Sequence, residues 1–178
     1  MSCNSLSIGR KLPCTSSVGG IKAFYVADYG TLGDLTVSPT TGELTAISGT
    51  PDLFKYEVEG SNGLDQAITA SAENGSVFYE QTLTVTLKKL DLATQHELAD
   101  LLKARTHIFV EDYNGNYFLM GATNGVHSCG GSISTGQAYG DLSGFSALTF
   151  AAQETLPAYF TASTVVTSNV NASQIEPA

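Results

Sequence analysis

Apolar and polar residues alternate along several segments of this chain, and this alternation predicts β-strands with one buried and one exposed face. In residues 53–60, the apolar Phe54, Tyr56 and Val58 alternate with charged residues. Residues 64–73 and 77–88 show the same period over longer runs. The Asn-Gly turn between these two runs tolerates positive φ angles, so we predict one long β-hairpin whose two strands each bury one face.

Further strand signals precede and follow this hairpin. We predict strands at residues 21–28, 42–47 and 143–153, and a second Asn-Gly hairpin formed by residues 106–111 and 117–120. Residues 121–144 contain seven glycines. This composition favours a loop region, with room for a short strand near residues 132–135.

One segment has helical periodicity. Asp91 is a good N-cap, and Leu98, Leu101 and Leu102 recur at the three- and four-residue spacing of one helix face. We therefore predict a helix at about residues 91–104 that packs on the sheets through these leucines. The order of strands, one helix and more strands indicates a mainly β fold, an antiparallel β-sandwich or barrel with one flanking α-helix.

The two ends of the chain lack such patterns. Residues 1–20 are small and polar, and we expect a flexible N-terminal arm; residues 161–178 are rich in Ser, Thr, Asn and Val, and we expect an extended C-terminal tail. The domain proper is therefore predicted to span residues 21–160.

Charge is scarce and unevenly distributed. Only 14% of the residues are charged, below the usual ~25%. Residues 1–22 have three basic residues and no acid, whereas the remainder has five basic residues against all 17 acidic ones, a net charge of −12. Scarce surface charge suggests that partners cover part of the surface, and an acidic body argues against binding to a phosphate backbone.

No motif for catalysis or a cofactor is found. The three histidines and three cysteines have no metal-ligand spacing, and no secretory leader or membrane-spanning apolar stretch is visible. Asp112, Asn114 and Asn116 match the first ligands of a calcium loop, but Tyr117 occupies the position that requires glycine. We therefore expect a hairpin turn there, and no catalytic residue, cofactor or metal.

Two groups of residues are candidates for assembly. Acidic residues on the polar faces of successive strands suggest a shared acidic channel face; the alternative is an ordinary solvated sheet face. These residues are Glu57, Glu59, Asp65, Glu73 and Glu80. In the N-terminal arm, basic residues could be attracted to an acidic neighbour and apolar residues could pack at a subunit boundary; these are Leu6, Ile8, Arg10, Lys11 and Leu12.

Several stretches together resemble a family of virion structural proteins of tailed bacteriophages, including crAss-like and marine phages. These stretches are Gly9-Arg10-Lys11 with Pro13-Cys14 and Gly19-Gly20-Ile21-Lys22, ENGSVFYEQTLTVTLKKL (73–90), VEDYNGNYFLMG (110–121) and TGQAYGDLSGFSALTFAAQETLPAYF (135–160). The similarity is to the tail-tube or neck-ring group, covers most of residues 8–160, and brings no catalytic residues with it.

The resemblance implies a β-sandwich with a flanking helix, in subunits joined into rings by strands and arms. We expect self-assembly into a ring, a hexamer or a multiple of six, that contacts other phage tail or neck proteins in the virion after synthesis in the host cytoplasm. DNA would pass through an acidic channel without specific binding, and no membrane would be involved. The alternative function is a surface binding module, an adhesin or carbohydrate-binding β-sandwich, which the absence of Trp weakens. An enzyme is the third possibility.

Overall fold

A computed structural model describes residues 9–12, 15–71 and 73–174, so the arm residues Leu6 and Ile8 lie outside the described part of the chain. The elements in chain order are β1 (Ile21–Asp28), β2 (Leu35–Val37), β3 (Leu44–Ile47), β4 (Phe54–Glu57), β5 (Gly63–Ser71), β6 (Ser76–Lys88), α1 (Leu92–Leu101), β7 (Thr106–Asp112), β8 (Tyr117–Met120), β9 (His127–Ser134), β10 (Gly144–Glu154), β11 (Tyr159–Thr161) and α2 (Ser163–Thr167).

The strands form two sheets. A seven-stranded sheet has the order β2-β3-β11-β8-β7-β1-β4, and a four-stranded sheet has the order β5-β6-β10-β9. All pairs in the four-stranded sheet are antiparallel, and the contact between β11 and β3 is a parallel pair in the larger sheet. Both predicted hairpins are present, as β5–β6 and β7–β8.

The main core lies between the two sheets. Phe24 from the seven-stranded sheet approaches Phe150 from the four-stranded sheet, with 6.4 Å between ring centroids. Val85 of β6 and Leu98 of α1 belong to the same buried cluster. The mainly β sandwich with a flanking helix is therefore confirmed, because both sheets and α1 bury their apolar faces in one core.

The helix α1 begins and packs as its sequence indicates. The Asp91 carboxylate accepts hydrogen bonds from the backbone amides of Ala93 and Thr94, which caps the first turn. Leu98 and Leu101 are buried, and Leu102 packs against the same cluster.

The expectation of an extended C-terminal tail is wrong for the residues the structure describes. The segment pairs through β11, forms the short helix α2, and then bridges Leu53 through Val170. Val165 and Val166 are buried against Tyr25 and Phe109, on the side of the seven-stranded sheet that faces away from the main core. This sheet has apolar side chains on both faces, so a second cover is needed, and the C-terminal segment supplies it.

Candidate assembly surface

The four-stranded sheet has one core face and one polar face. On β6, Leu83, Val85 and Leu87 are buried, whereas Thr82, Thr84 and Thr86 between them point away from the core and are half-buried. The register continues the polar face onto β10 and β5 with small and polar residues. These are Thr149, Ala151 and Gln153 on β10 and Asp65, Ala67 and Thr69 on β5.

The β5–β6 hairpin extends beyond the rest of the sheet. The last residue of β10, Glu154, pairs with Tyr79, so residues 68–71 and 76–79 continue as a two-stranded ribbon. Within this ribbon, Ile68 is 66% exposed and Val77 is 53% exposed. The alternation predicted for these strands is present, but the predicted burial is wrong here, because no second layer covers the ribbon among the described residues.

The two edges of the four-stranded sheet are β5 and β9. Edge strands are normally protected against pairing by Lys, Pro or inward charge. β9 contains no Lys, Arg, Asp, Glu or Pro, and β5 contains the single charged residue Asp65. Ile133 on β9 is 58% exposed. Both edges therefore lack the charges and prolines that commonly prevent pairing, although the β9–β10 pair has two register irregularities, between Ser146 and Thr149 and between Thr149 and Phe150.

The five candidate acidic residues do not form one face. Asp65 and Glu80 lie on the polar face of the four-stranded sheet, and Glu73 lies in the turn of the ribbon. Glu57 belongs to β4 of the other sheet and pairs with Lys55, while Glu59 follows that strand and pairs with Lys88. The prediction of one acidic face over successive strands is therefore wrong for Glu57 and Glu59, because β4 and β5 belong to different sheets.

The described part of the N-terminal arm is hydrogen-bonded to the β7–β8 turn through Val18 and through Gly20, whose carbonyl accepts from the Tyr113 amide (3.4 Å). The Asn114 side chain accepts a hydrogen bond from the Val18 amide (3.0 Å) and donates one to the Val18 carbonyl (2.7 Å). Asn114 belongs to the β7–β8 turn, whose Asp112 carboxylate accepts hydrogen bonds from Asn114 and Asn116. These bonds lower the pKa of Asp112 although its partial burial opposes ionisation. The residues Arg10, Lys11 and Leu12 are exposed.

A groove of about 560 Å³ lies at the opposite end of β6 from the ribbon, and we call it the lysine groove. Lys22, Lys55 and Lys88 line it together with Tyr56 and Glu59. The Lys88 ammonium donates to the Glu59 carboxylate at 2.6 Å, and this hydrogen bond lowers the pKa of Glu59. Both side chains of this pair are mostly exposed, at 58% and 80%.

Lys22 has a different role in the same groove. Its ammonium donates at 2.7 Å to Glu111, which is buried, and the Tyr25 hydroxyl donates to the other Glu111 oxygen, also at 2.7 Å. Burial opposes ionisation of Glu111, but these hydrogen bonds outweigh it and hold its pKa below the ordinary value. Lys22 is therefore needed to compensate a buried carboxylate.

Buried polar side chains organise the loops at the ribbon end. Gly30 donates its amide to His107 Nε2 (3.2 Å), so the proton of the neutral ring lies on Nδ1, which is 2.7 Å from the Gly121 carbonyl oxygen. Burial lowers the pKa of His107. The buried Gln81 accepts from the Gly121 amide and donates to the Leu156 carbonyl. A single neutral tautomer of His107 thus joins the loop after β1 to the loop after β8.

No arrangement for metal chemistry is present in the part of the chain that the structure describes, where no three His, Cys, Asp or Glu residues cluster. Across the same residues, none of the helices has the length and apolar character needed to span a membrane. Cys129 is exposed on β9.

Comparisons with protein-family models, curated proteins and solved structures found no match. The structure therefore defines the class of protein by fold alone, a mainly β sandwich of a seven-stranded and a four-stranded sheet with short helices.

Sequence reasoning missed two parts of this surface. The glycines of residues 121–144 favour a loop, whereas the structure forms the edge strand β9 there, because an edge strand tolerates glycine. The lysine groove joins Lys22, Lys55 and Lys88 from three distant segments, and no local pattern indicates that they meet.

Proposed function

We propose that this chain is a non-enzymatic structural subunit of a tailed-phage virion, of the tail-tube or neck-ring type. It assembles into a closed ring around a channel for DNA, and other tail or neck proteins bind that ring in the virion. The observation that supports this proposal best is the four-stranded sheet with its two unprotected edges.

Strand direction favours pairing between copies. The four strands alternate in direction across the sheet, so β9 of one copy runs antiparallel to β5 of a second copy placed beside it. Their lengths also match, at eight and nine residues. This contact joins two different surfaces of the chain. Such a contact closes into a ring when the rotation that relates neighbouring copies is a whole-number fraction of 360°.

The offset between the two edges suits a closed barrel. β5 lies level with residues 76–84 of β6, whereas β9, through β10, lies level with residues 82–88. The midpoints differ by about five residues, or about 17 Å. Over four strands spaced about 4.8 Å apart, a stagger of about 17 Å corresponds to a strand tilt of about 40°, within the usual range for barrels.

The size and lining of such a barrel fit the passage of DNA. A ring of six copies has 24 strands, and at this tilt its backbone diameter is about 50 Å. The main core covers one side of the four-stranded sheet, so the polar side of that sheet faces the channel. Its carboxylates, Asp65 and Glu80, repel phosphates, most of its other side chains are uncharged, and Lys88 at the end of β6 is paired with Glu59.

The register predicts a specific contact. Because side chains alternate between faces, the stagger is an even number of residues, and a stagger of four sets Ile133 of one copy opposite Leu64 of the next. We therefore test Leu64→Cys with Ile133→Cys, with the three native cysteines replaced by Ser. Under mild oxidation this variant is expected to give covalent oligomers that end at one closed size, with rings visible in negative-stain images.

The matched control is Ile68→Cys with Ile133→Cys. Ile68 faces the same side of β5 as Leu64 and lies about 13 Å further along the strand, too far for a disulfide in this register. Oligomers from the control pair alone would show that the register is wrong. If rings form but neither cysteine pair cross-links them, the pairing of β5 with β9 is refuted. If the protein remains an 18.6 kDa monomer at every concentration, the ring itself is refuted.

A further inference from the structure

We infer that Asn74, in the turn of the ribbon, is a site of spontaneous covalent modification that replaces its side-chain amide with a carboxylate. The backbone nitrogen of Gly75 attacks the side-chain carbonyl carbon of Asn74 and forms a succinimide ring, which water then opens. This inference concerns the chemistry of the single chain and does not rest on the ring proposed above.

The reaction uses only the chain and water. The Gly75 nitrogen loses its proton, a bond forms between this nitrogen and Cγ of Asn74, and the bond between Cγ and Nδ2 breaks to release ammonia. Water then opens the ring at either of its carbonyl carbons. Opening at Cγ leaves an aspartate, and opening at the backbone carbonyl leaves an isoaspartate, whose main chain runs through the side chain. No electron transfer is involved.

The sequence contains four Asn-Gly pairs, and each is a candidate for this reaction because glycine has no Cβ to hinder the approach of its nitrogen. The pairs are Asn62-Gly63, Asn74-Gly75, Asn114-Gly115 and Asn124-Gly125. Ring closure requires the asparagine side chain to leave its hydrogen-bond partners and the backbone to rotate. Local structure therefore decides which pair reacts.

Two of the pairs are held by the packed domain. Asn62 is only 7% exposed, and its Oδ1 accepts a hydrogen bond from the Thr86 amide at 2.8 Å. Asn124 donates its Nδ2 to the Gln153 carbonyl at 2.7 Å, and the Gly125 that follows it is buried. Reaction at either pair would require the surrounding sheet or loop to open first.

Asn114 lies in an exposed hairpin turn, as Asn74 does, but its side chain is bonded at both ends. Its Oδ1 accepts from the Val18 amide at 3.0 Å, and its Nδ2 donates to the Val18 carbonyl at 2.7 Å and to the Asp112 carboxylate at 3.2 Å. The attacking nitrogen is also engaged, because the Gly115 amide donates to the Asp112 carbonyl at 3.3 Å. Both reacting groups of this pair are restrained.

Asn74 has weaker restraints. Asn74 and Gly75 are exposed, Gly75 has a φ of +61°, and a Cβ built on Gly75 would have no atom within 4 Å. The backbone amide of Asn74 donates to the Ser71 hydroxyl at 3.3 Å, and its side chain has no hydrogen bond to any residue that the structure describes. The turn closes a two-stranded ribbon, which opens more readily than the four-stranded sheet.

The modification changes both the charge and the backbone of the ribbon. A carboxylate at this position adds a negative charge beside Glu73, in a hairpin that has no basic residue between Asp65 and Lys88. An isoaspartate also adds a carbon to the main chain, which disturbs the pairing of Ser71 with Ser76. The tip of the ribbon therefore alters with the age of the protein, while the packed sandwich does not.

Peptide mapping by mass spectrometry tests the inference on the full chain. The folded protein is incubated in mildly alkaline buffer made with oxygen-18 water, so that the label marks each asparagine that reacts through a succinimide. Asn74 is expected to convert roughly tenfold or more faster than the asparagine of each other Asn-Gly pair. In urea the four pairs are expected to convert at similar rates, because only the fold distinguishes them.

Two variants test the reason for this selectivity. Gly75→Ala should slow conversion of Asn74 and leave that of Asn114 unchanged, because a methyl group hinders the attacking nitrogen; its melting temperature is measured as a check, since alanine is strained at a φ of +61°. Asp112→Ala removes acceptors from the Asn114 pair and should accelerate conversion of Asn114.

The comparison within the unsubstituted chain decides the inference. If Asn74 in the folded protein converts no faster than Asn114 or Asn124, the inference is overturned. The same preference for Asn74 in urea would overturn it as well, because the local sequence and not the fold would then select the site.

Discussion

The exposed Ile133 offers the sharpest energetic test of ring formation. It lies on the unprotected edge β9 and is 58% exposed in the isolated chain. If β9 pairs with β5 of a neighbour, this exposed part becomes buried at every contact. Ile133→Ala should therefore weaken assembly while leaving the fold of the monomer largely intact.

The size of the effect follows from the exposed fraction. Full burial of an isoleucine side chain stabilises by about 1.5–3 kcal/mol, so burial of the exposed part, less what alanine retains, contributes roughly 1 kcal/mol per contact. A closed ring of six has six identical contacts. Removing roughly 1 kcal/mol from each raises the concentration at which half the chains are in rings about 5- to 10-fold.

Sedimentation velocity over a dilution series measures this midpoint. Leu156→Ala is the matched control, because Leu156 is also about half-exposed, at 52%, but lies outside both edge strands. A midpoint for Ile133→Ala within twofold of the unsubstituted chain would refute burial of this edge. So would an equal shift for Leu156→Ala.

Three further outcomes are expected. Leu101→Ala should lower the free energy of unfolding by roughly 2–5 kcal/mol, measured by urea denaturation of the monomer, because the side chain is buried against the sheets. Burial lowers the pKa of His107 in the folded protein below the unfolded-state value of about 6.5. The neutral ring therefore contributes its full stabilisation above about pH 6.5, and this stabilisation is lost as the pH falls towards the folded-state pKa. The melting temperature should therefore fall between pH 7 and pH 5, less steeply in His107→Gln; equal slopes would contradict this. Deletion of residues 2–18 should leave cooperative unfolding unchanged but weaken ring formation, and reversal of Arg10 and Lys11 to Glu should give a milder, salt-dependent loss. Unimpaired rings after the deletion would show that the arm is dispensable.

The local sequence determined the elements and their faces. Alternation over residues 77–88 indicated which side chains of β6 share a face, and the Asn-Gly turns indicated both hairpins. Asp91 with the leucines at helical spacing indicated α1. These features depend on neighbours within a few residues, and the chain itself contains that information.

Burial and proximity were decided by the tertiary structure. The same alternation continues through Ile68 and Val77, but those residues extend beyond the end of β10 and remain exposed. The C-terminal segment has no strong pattern of its own, yet Val165 and Val166 are buried because the seven-stranded sheet has a second apolar face to cover.

The candidate surface shows the same division. The sequence indicated an acidic body and a basic arm, because charge is a property of composition. It did not indicate that Glu57 and Asp65 belong to different sheets, or that Lys22, Lys55 and Lys88 line one groove. Those relations depend on which strands pair across long separations in the chain, and that pairing is set by the shared core and not by any local period.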